Sequence, residues 1–406
     1  MASTFTPLRH RIFRYFWIVN VTSNIGTWMH VVAAAWLMTS LTSSPTLIAF
    51  LQTAMTLPVF FFSIPGGMIA DASDLKKFLC ITQVWMTITA FILSLITLFH
   101  LVTPWSLLGI TFFLGSGAAV NIAAMQAAIA TMVPEEDLRE ASTLNSIGFN
   151  SARLLGPALG GCLIAWQGPS LVFAIDTLSF LGVIFFFFFL YQQSQQQKRC
   201  SKLHLKKSFA GFSIIVKCRS FKNVLKKTAV FFFCASIIWA LSPIIAKSKL
   251  GEGIAPFTHF VTCLGLGAVT GGLSLAWLRS RFSDEKLTSS VLILLSILLG
   301  VLPFLKNHFL VYGVLIFIGF TWITSTSTFS VAALKTFPDY LKSRAYSLYW
   351  VFFNGSIALG SALWGKLASL FNCQTALLTC SLLAFLSALL SLYRTIDKTS
   401  FQNRSY

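Results

Sequence analysis

Twelve times along this chain, a run of about twenty mostly apolar residues is closed by a short polar break. That pattern leaves few folds open. A bilayer core about 30 Å thick is crossed by roughly 20 helical residues. Within it, only helices and closed barrels satisfy their own backbone groups. The runs fall near 14–39, 46–70, 78–99, 105–132, 142–166, 171–191, 228–247, 257–278, 287–305, 309–333, 346–370 and 374–394. The breaks carry turn residues: Ser44-Pro45, Thr103-Pro104, Gly168-Pro169 and Asn307-His308. Only 10% of the 406 residues are charged, against about a quarter in a soluble domain. The expected fold class is an all-α membrane protein with twelve transmembrane helices.

The net charge of +18 does not point to nucleic acid, because the basic residues gather in alternate breaks. Twenty-five of the 30 Lys and Arg fall on one side of this layout; Lys247, Lys249 and Lys306 fall on the other. Positive loops stay inside, so both termini and the middle loop are expected in the cytoplasm, with the protein multi-pass in an inner or plasma membrane. The N-terminus runs straight from RHRIFRYF into an apolar segment with no visible cleavable signal.

The eight cysteines form no CxxC, and no Cys/His spacing suits zinc. No HExxH, nucleophile elbow or Walker A motif occurs. No metal, no organic cofactor and no enzyme activity are expected.

Residues 1–191 and 228–406 form two halves around a polar, then basic linker at 192–227. Within the linker, Leu205, Phe209, Phe212, Ile215 and Val216 alternate with lysines at roughly helical spacing. The stretch 203–227 is expected to be a cationic helix lying on the inner leaflet. A shift of 204 residues aligns the halves: Pro134 with Pro338, Phe149 with Phe353, Asn150 with Asn354, Gly156 with Gly360 and Gly161 with Gly365. Two parallel six-helix repeats with a substrate path between them follow.

Within the fifth run, Gly148, Ala152, Gly156 and Gly160 recur every fourth residue and form a groove on one helix face. Pro157 favours a kink. Gly267 with Gly271, and Ala268 with Gly272, form similar rows in the eighth run, and a contact between the fifth and eighth helices is expected.

These features resemble the major facilitator superfamily of transporters over nearly the whole chain, from Phe13 to about Arg394. The stretch PGGMIADASDLKK, from Pro65 to Lys77, is similar to the family's signature loop after the second helix, although Ala72 stands where Arg is usual. The spacing of Asp71, Asp74, Lys76 and Lys77, with WMHVVAAAWLMTSLTSSP (28–45) and RLLGPALGG (153–161), resembles the branch of enterobactin exporters and drug and macrolide efflux proteins. Ala152, Gly156, Pro157, Gly160 and Gly161 fit the motif associated with antiporters. The equivalent loop of the second half, GGLSLAWLRSRFSDEK (271–286), lacks the Asp.

The resemblance implies proton-coupled efflux of small amphiphilic or lipophilic compounds or siderophores by alternating access. Import of a metabolite or lysophospholipid, or a non-transporting sensor, is the alternative. The expected partners are the lipid bilayer, a small-molecule substrate and protons, with the proton gradient as energy source and the protein a monomer. The resemblance also implies a gate built from Gly66, Gly67, Asp71, Asp74, Lys76 and Lys77, with Asp71 capping a neighbouring helix.

Asp176 is the one acidic residue clearly inside a run, about 9 Å from its outer end at 1.5 Å per residue. Intramembrane carboxylates mark functional sites, so it is a proton-carrier candidate, with His30 as the second. Arg153 either binds an anionic substrate group or serves backbone carbonyls. Asn20, Asn24, Gln52, Asn121 and Gln126, with Trp239 and Trp322, are expected to line a cavity suited to lipophilic cargo.

Overall fold

In the computed structural model, residues 5–191, 218–337 and 339–402 are described, and their regular structure is helical. Thirteen α-helices run in the order α1 Arg11–Leu41, α2 Pro45–Ala72, α3 Leu75–Leu98, α4 Pro104–Met132, α5 Leu138–Gln167, α6 Pro169–Phe185, α7 Arg219–Ala240, α8 Ser242–Leu250, α9 Ile254–Arg281, α10 Asp284–Val301, α11 His308–Lys335, α12 Asp339–Leu370 and α13 Cys373–Gln402. Local chemistry sets their starts. Thr103 and Ser106 form a reciprocal capping box ahead of α4, and the side chains of Ser283 and Asn307 accept backbone N–H bonds at the starts of α10 and α11. Gly168, at φ +81°, ends α5 and hands over to Pro169 in a single residue. That left-handed backbone is cheap only for glycine.

Among the described residues, nine helices are long and apolar enough to cross a membrane: α2, α3, α4, α6, α7, α9, α10, α11 and α13. The other three long helices, α1, α5 and α12, have 31, 30 and 32 residues. They carry the polar interruptions, with Asn20, Asn24 and His30 on α1, Arg153 on α5, and Asn354 and Lys366 on α12.

The chain forms two compact units: residues 1–43 with 54–210, and residues 44–53 with 211–406. In the first unit, α1 packs on α5 and α6, and α3 on α4 and α6. In the second, α7 packs on α12, α9 on α11, and α10 on α13. The first turns of α2 belong to the second unit, where Thr53 Oγ1 donates to the Ala358 carbonyl at 3.1 Å.

The row on α5 and the Gly267–Gly271 row on α9 are each filled within their own unit, whereas Gly272 meets nothing within 4 Å. A Cβ at Gly156 would stand 3.1 Å from the Ile25 carbonyl oxygen, and one at Gly160 would stand 3.1 Å from Met29 Cα, both on α1. Gly267 and Gly271 on α9 are filled by Ile316, Phe320 and Ile323 of α11. The helix α5 continues through Pro157. One expectation is corrected: residues 219–227 are the first turns of α7 and bury Phe221 and Leu225 in the second unit, so they are no part of a surface helix. Residues 203–217 lie outside the described residues.

Gly267 and Gly319 set the α9–α11 distance, because a Cβ on either would overlap a carbonyl oxygen of the other helix, Ile316 and Leu264 respectively. Gly267→Ala is expected to cost about 1–3 kcal/mol through overpacking and to lower the melting temperature in detergent. Gly272→Ala, which meets nothing within 4 Å, is expected to leave it unchanged or raise it through better helix propensity. Equal losses from both would show that the crossing is not set by this contact.

Candidate functional site

The first unit brings together two residues 146 positions apart. His30 on α1 and Asp176 on α6 place Nδ1 and Oδ2 2.9 Å apart, with side chains 2% and 0% exposed. The two atoms are within ion-pair distance. Helical spacing builds the pocket. One turn before His30, Gly26 faces Asp176, and a Cβ there would stand 2.9 Å from Asp176 Oδ1 and 2.8 Å from Ser179 Oγ. One turn before Asp176, Phe173 lays its ring 4.7 Å from the imidazole. Both proton-carrier candidates thus form one pair, which neither residue's local sequence announced.

Arg153 is buried on α5, and its guanidinium lies 5.4 Å from the Trp28 ring of α1. A desolvated cation on an aromatic face gains about 2 kcal/mol, which offsets part of the cost of placing Arg here. This partner belongs to neither role read from the sequence. Trp28 also meets Phe149 at 6.1 Å.

Asn20 and Asn24 sit on the same α1–α5 seam. Asn20 Nδ2 donates to Asn145 Oδ1 at 2.8 Å, and Asn24 Nδ2 donates to the Asn20 carbonyl at 2.8 Å. Below them, Trp17 Nε1 donates to the Leu144 carbonyl at 3.0 Å. Asn121 is buried on α4, where its Oδ1 accepts from Thr82 Oγ1 of α3 at 2.9 Å. Gln126 is exposed and Gln52 half-buried.

The expected gate loop is largely helix. Because α2 extends to Ala72, Gly66, Gly67 and Asp71 belong to its last turns, and only Ser73 and Asp74 separate it from α3. Gly66 fits against α4, where a Cβ would stand 2.9 Å from Val120 Cα. The capping role falls to Asp74, whose Oδ1 accepts from the Lys77 N–H at the start of α3, 3.1 Å away. Lys76 Nζ donates to the Phe188 carbonyl at 2.9 Å, beyond the end of α6. The side chain of Asp71 lies outside the described residues.

In the second unit, Trp239 and Trp322 meet at 5.7 Å. Phe232 and Phe353, missed in the sequence, extend the cluster: Phe232 lies 5.2 Å from Trp322 and 4.3 Å from Phe353. Trp350 lies 4.9 Å from Phe353. The available signal was the seven-residue spacing of Phe232 and Trp239, which 40 phenylalanines obscure. Nearby in sequence, Cys380 Sγ donates to the Cys234 carbonyl at 3.2 Å. No group of three or more His, Cys, Asp or Glu among the described residues could hold a metal ion.

Residues 2–405 match the protein family described as transmembrane secretion effector. A segment of 159 residues is 27% identical to an uncharacterised MFS-type transporter, YfiS, of Bacillus subtilis (strain 168). The segment is 39% of this chain and spans only 37% of that relative. Among solved structures, a mutant of the nucleoside transporter NupG aligns with TM-score 0.76 at 13% identity, covering 94% of this chain and 99% of that one. A POT family transporter in complex with a thioalcohol-conjugated peptide gives 0.76 at 12%, covering 95% and 96%. A bacterial homolog of the human lysosomal transporter Spinster gives 0.74 at 12%, covering 96% and 97%. At these identities the likeness is one of fold.

The buried pair has a stability signature. Removing one partner of a buried pair costs about 3–5 kcal/mol because the other is left uncompensated, whereas replacing both with apolar residues is often neutral. His30→Leu and Asp176→Leu are each expected to lower the melting temperature, with the double variant losing less than the sum. A coupling of at least ~1 kcal/mol is expected; strictly additive losses would mean that the two side chains do not interact.

Proposed function

Because the chain belongs to the transmembrane secretion effector family of major facilitator superfamily transporters, we propose that it exports small amphiphilic or lipophilic compounds, siderophores among them, in exchange for protons. The observation that carries the proton half is the His30–Asp176 pair: a carboxyl group with 0% exposure inside a helix, with an imidazole nitrogen 2.9 Å from its Oδ2. Support for the cargo half comes from the half-buried Trp239 and Trp322 in the second unit, backed by the buried rings of Phe232 and Phe353, aromatic surface suited to apolar molecules. Support for export comes from the family description and the resemblance of residues 28–45 and 153–161 to efflux proteins.

The proposed topology has twelve spans in an inner or plasma membrane with both termini cytoplasmic, α1, α5 and α12 completing the nine more apolar helices. It rests on the one-sided distribution of Lys and Arg. The proposed pair of six-helix repeats is supported by matching contacts. Gly156 of α5 fits against Met29 of α1, and Gly360 of α12 fits against Phe233 of α7, each 204 residues further on. The cycle is then alternating access. Asp74 and Lys76 hold the cytoplasmic α2–α3 turn in shape, and Asp71 remains the proposed latch of that gate.

Everted membrane vesicles test the reading. Energised vesicles containing the protein are expected to accumulate a lipophilic fluorescent dye, and a protonophore is expected to release it. Accumulation indifferent to the protonophore would remove the proton from the cycle. Uptake into right-side-out vesicles only would reverse the direction and favour an importer.

A further inference from the structure

Of the 12 Asp and Glu, all but Asp176 lie in connections or in the end turns of helices. The elements around Asp176 offer it one ionisable partner. From α1 comes His30. On α3, Lys76, Lys77 and Cys80 stand at the far end, where Lys76 engages Phe188, twelve residues beyond Asp176. On α5, Arg153 is directed at Trp28, while Arg139 and Glu140 occupy the opposite end of the helix.

The pair can hold no proton, one or two beyond the N–H that neutral imidazole keeps. With one, it is neutral overall, either as acid and imidazole or as carboxylate and imidazolium. With none it carries one negative charge, and with two one positive charge. A site closed to water penalises both charged states. The single-proton state is therefore kept while α1 and α6 are together, and exchange needs water at the seam. Gly26 is the closure element, since only hydrogen separates its backbone from Asp176 Oδ1 and Ser179 Oγ.

Among the described residues, the second unit holds no buried His–carboxylate pair. In the proposed repeat, the positions 204 residues beyond His30 and Asp176 are Cys234 and Cys380. There the Cys380 thiol donates to the Cys234 carbonyl, and no carboxylate is present.

We infer that His30 and Asp176 are one proton-binding site with a single exchangeable proton, gated by the α1–α6 seam, and that the molecule has one such site, so that one proton moves per cycle. This rests on the proton-driven reading above.

Two measurements separate the inference from that reading. Infrared difference spectra of the protein in lipid nanodiscs, recorded over a pH titration, are expected to show a buried carboxylic C=O band that is lost in Asp176→Asn and displaced in His30→Gln. A band unaffected by Asp176→Asn, or unmoved by His30→Gln, would overturn the shared site whatever the protein transports. In proteoliposomes loaded with the lipophilic dye, the gradient at which flux reverses is expected to give one proton per dye. Asp176→Asn with unchanged melting temperature is expected to retain downhill movement and lose all uphill accumulation. Full uphill accumulation in that variant, or two protons per dye, would overturn the inference while leaving proton-driven export standing. A titrating band in a protein that moves no dye would leave the site standing and remove the export reading.

Discussion

A lipid tail accepts no hydrogen bond, and the rest of this structure follows from that. The backbone closes on itself as helix, and hydroxyl side chains do the same. Thr27, Thr87, Thr89, Thr97, Ser116 and Thr177 each donate to the carbonyl four residues earlier in their own helix. Such residues are polar in the sequence yet self-contained in the fold. Asn24, Asn150 and Asn354 donate in the same way, whereas Asn20, His30, Asp176 and Arg153 reach across to a neighbouring helix. Their cross-helix contacts concentrate on α1, α5 and α6, and that concentration sets this site apart from ordinary helix packing.

The two units answer the same packing problem with different chemistry. In the first, small residues on α5 bring α1 so close that Asn20 reaches Asn145 and Arg153 reaches Trp28. In the second, α12 has Trp364 where the repeat would place the counterpart of Gly160. Its indole fills the space and donates to the Phe233 carbonyl at 2.8 Å.

The helical class and most boundaries were legible because hydropathy and capping residues act locally. The small-residue row was legible too, since spacing of four defines a helix face whatever lies against it. Its partner was not: nothing in Gly156 says whether α1 or a more distant helix will fill the space. Pro65, Gly66 and Gly67 read as a loop by rules learned in water, yet α2 carries both Pro58 and Pro65 and continues to Ala72, as helices in membranes tolerate. Asp176 stood out by itself as a charge in an apolar run. That His30 would meet it was beyond local reading, because their contact depends on how α1 and α6 cross.

The single-residue passage at Gly168 constrains how this unit can move. With its φ at +81° and Pro169 fixing the next residue, α5 turns into α6 without slack. The two helices then behave as the arms of one stiff hairpin, and α1 is clasped by both, through glycines on one arm and through Asp176 on the other. Both the Asp176 contact and the Arg153–Trp28 contact therefore depend on the placement of one helix, α1, against that hairpin.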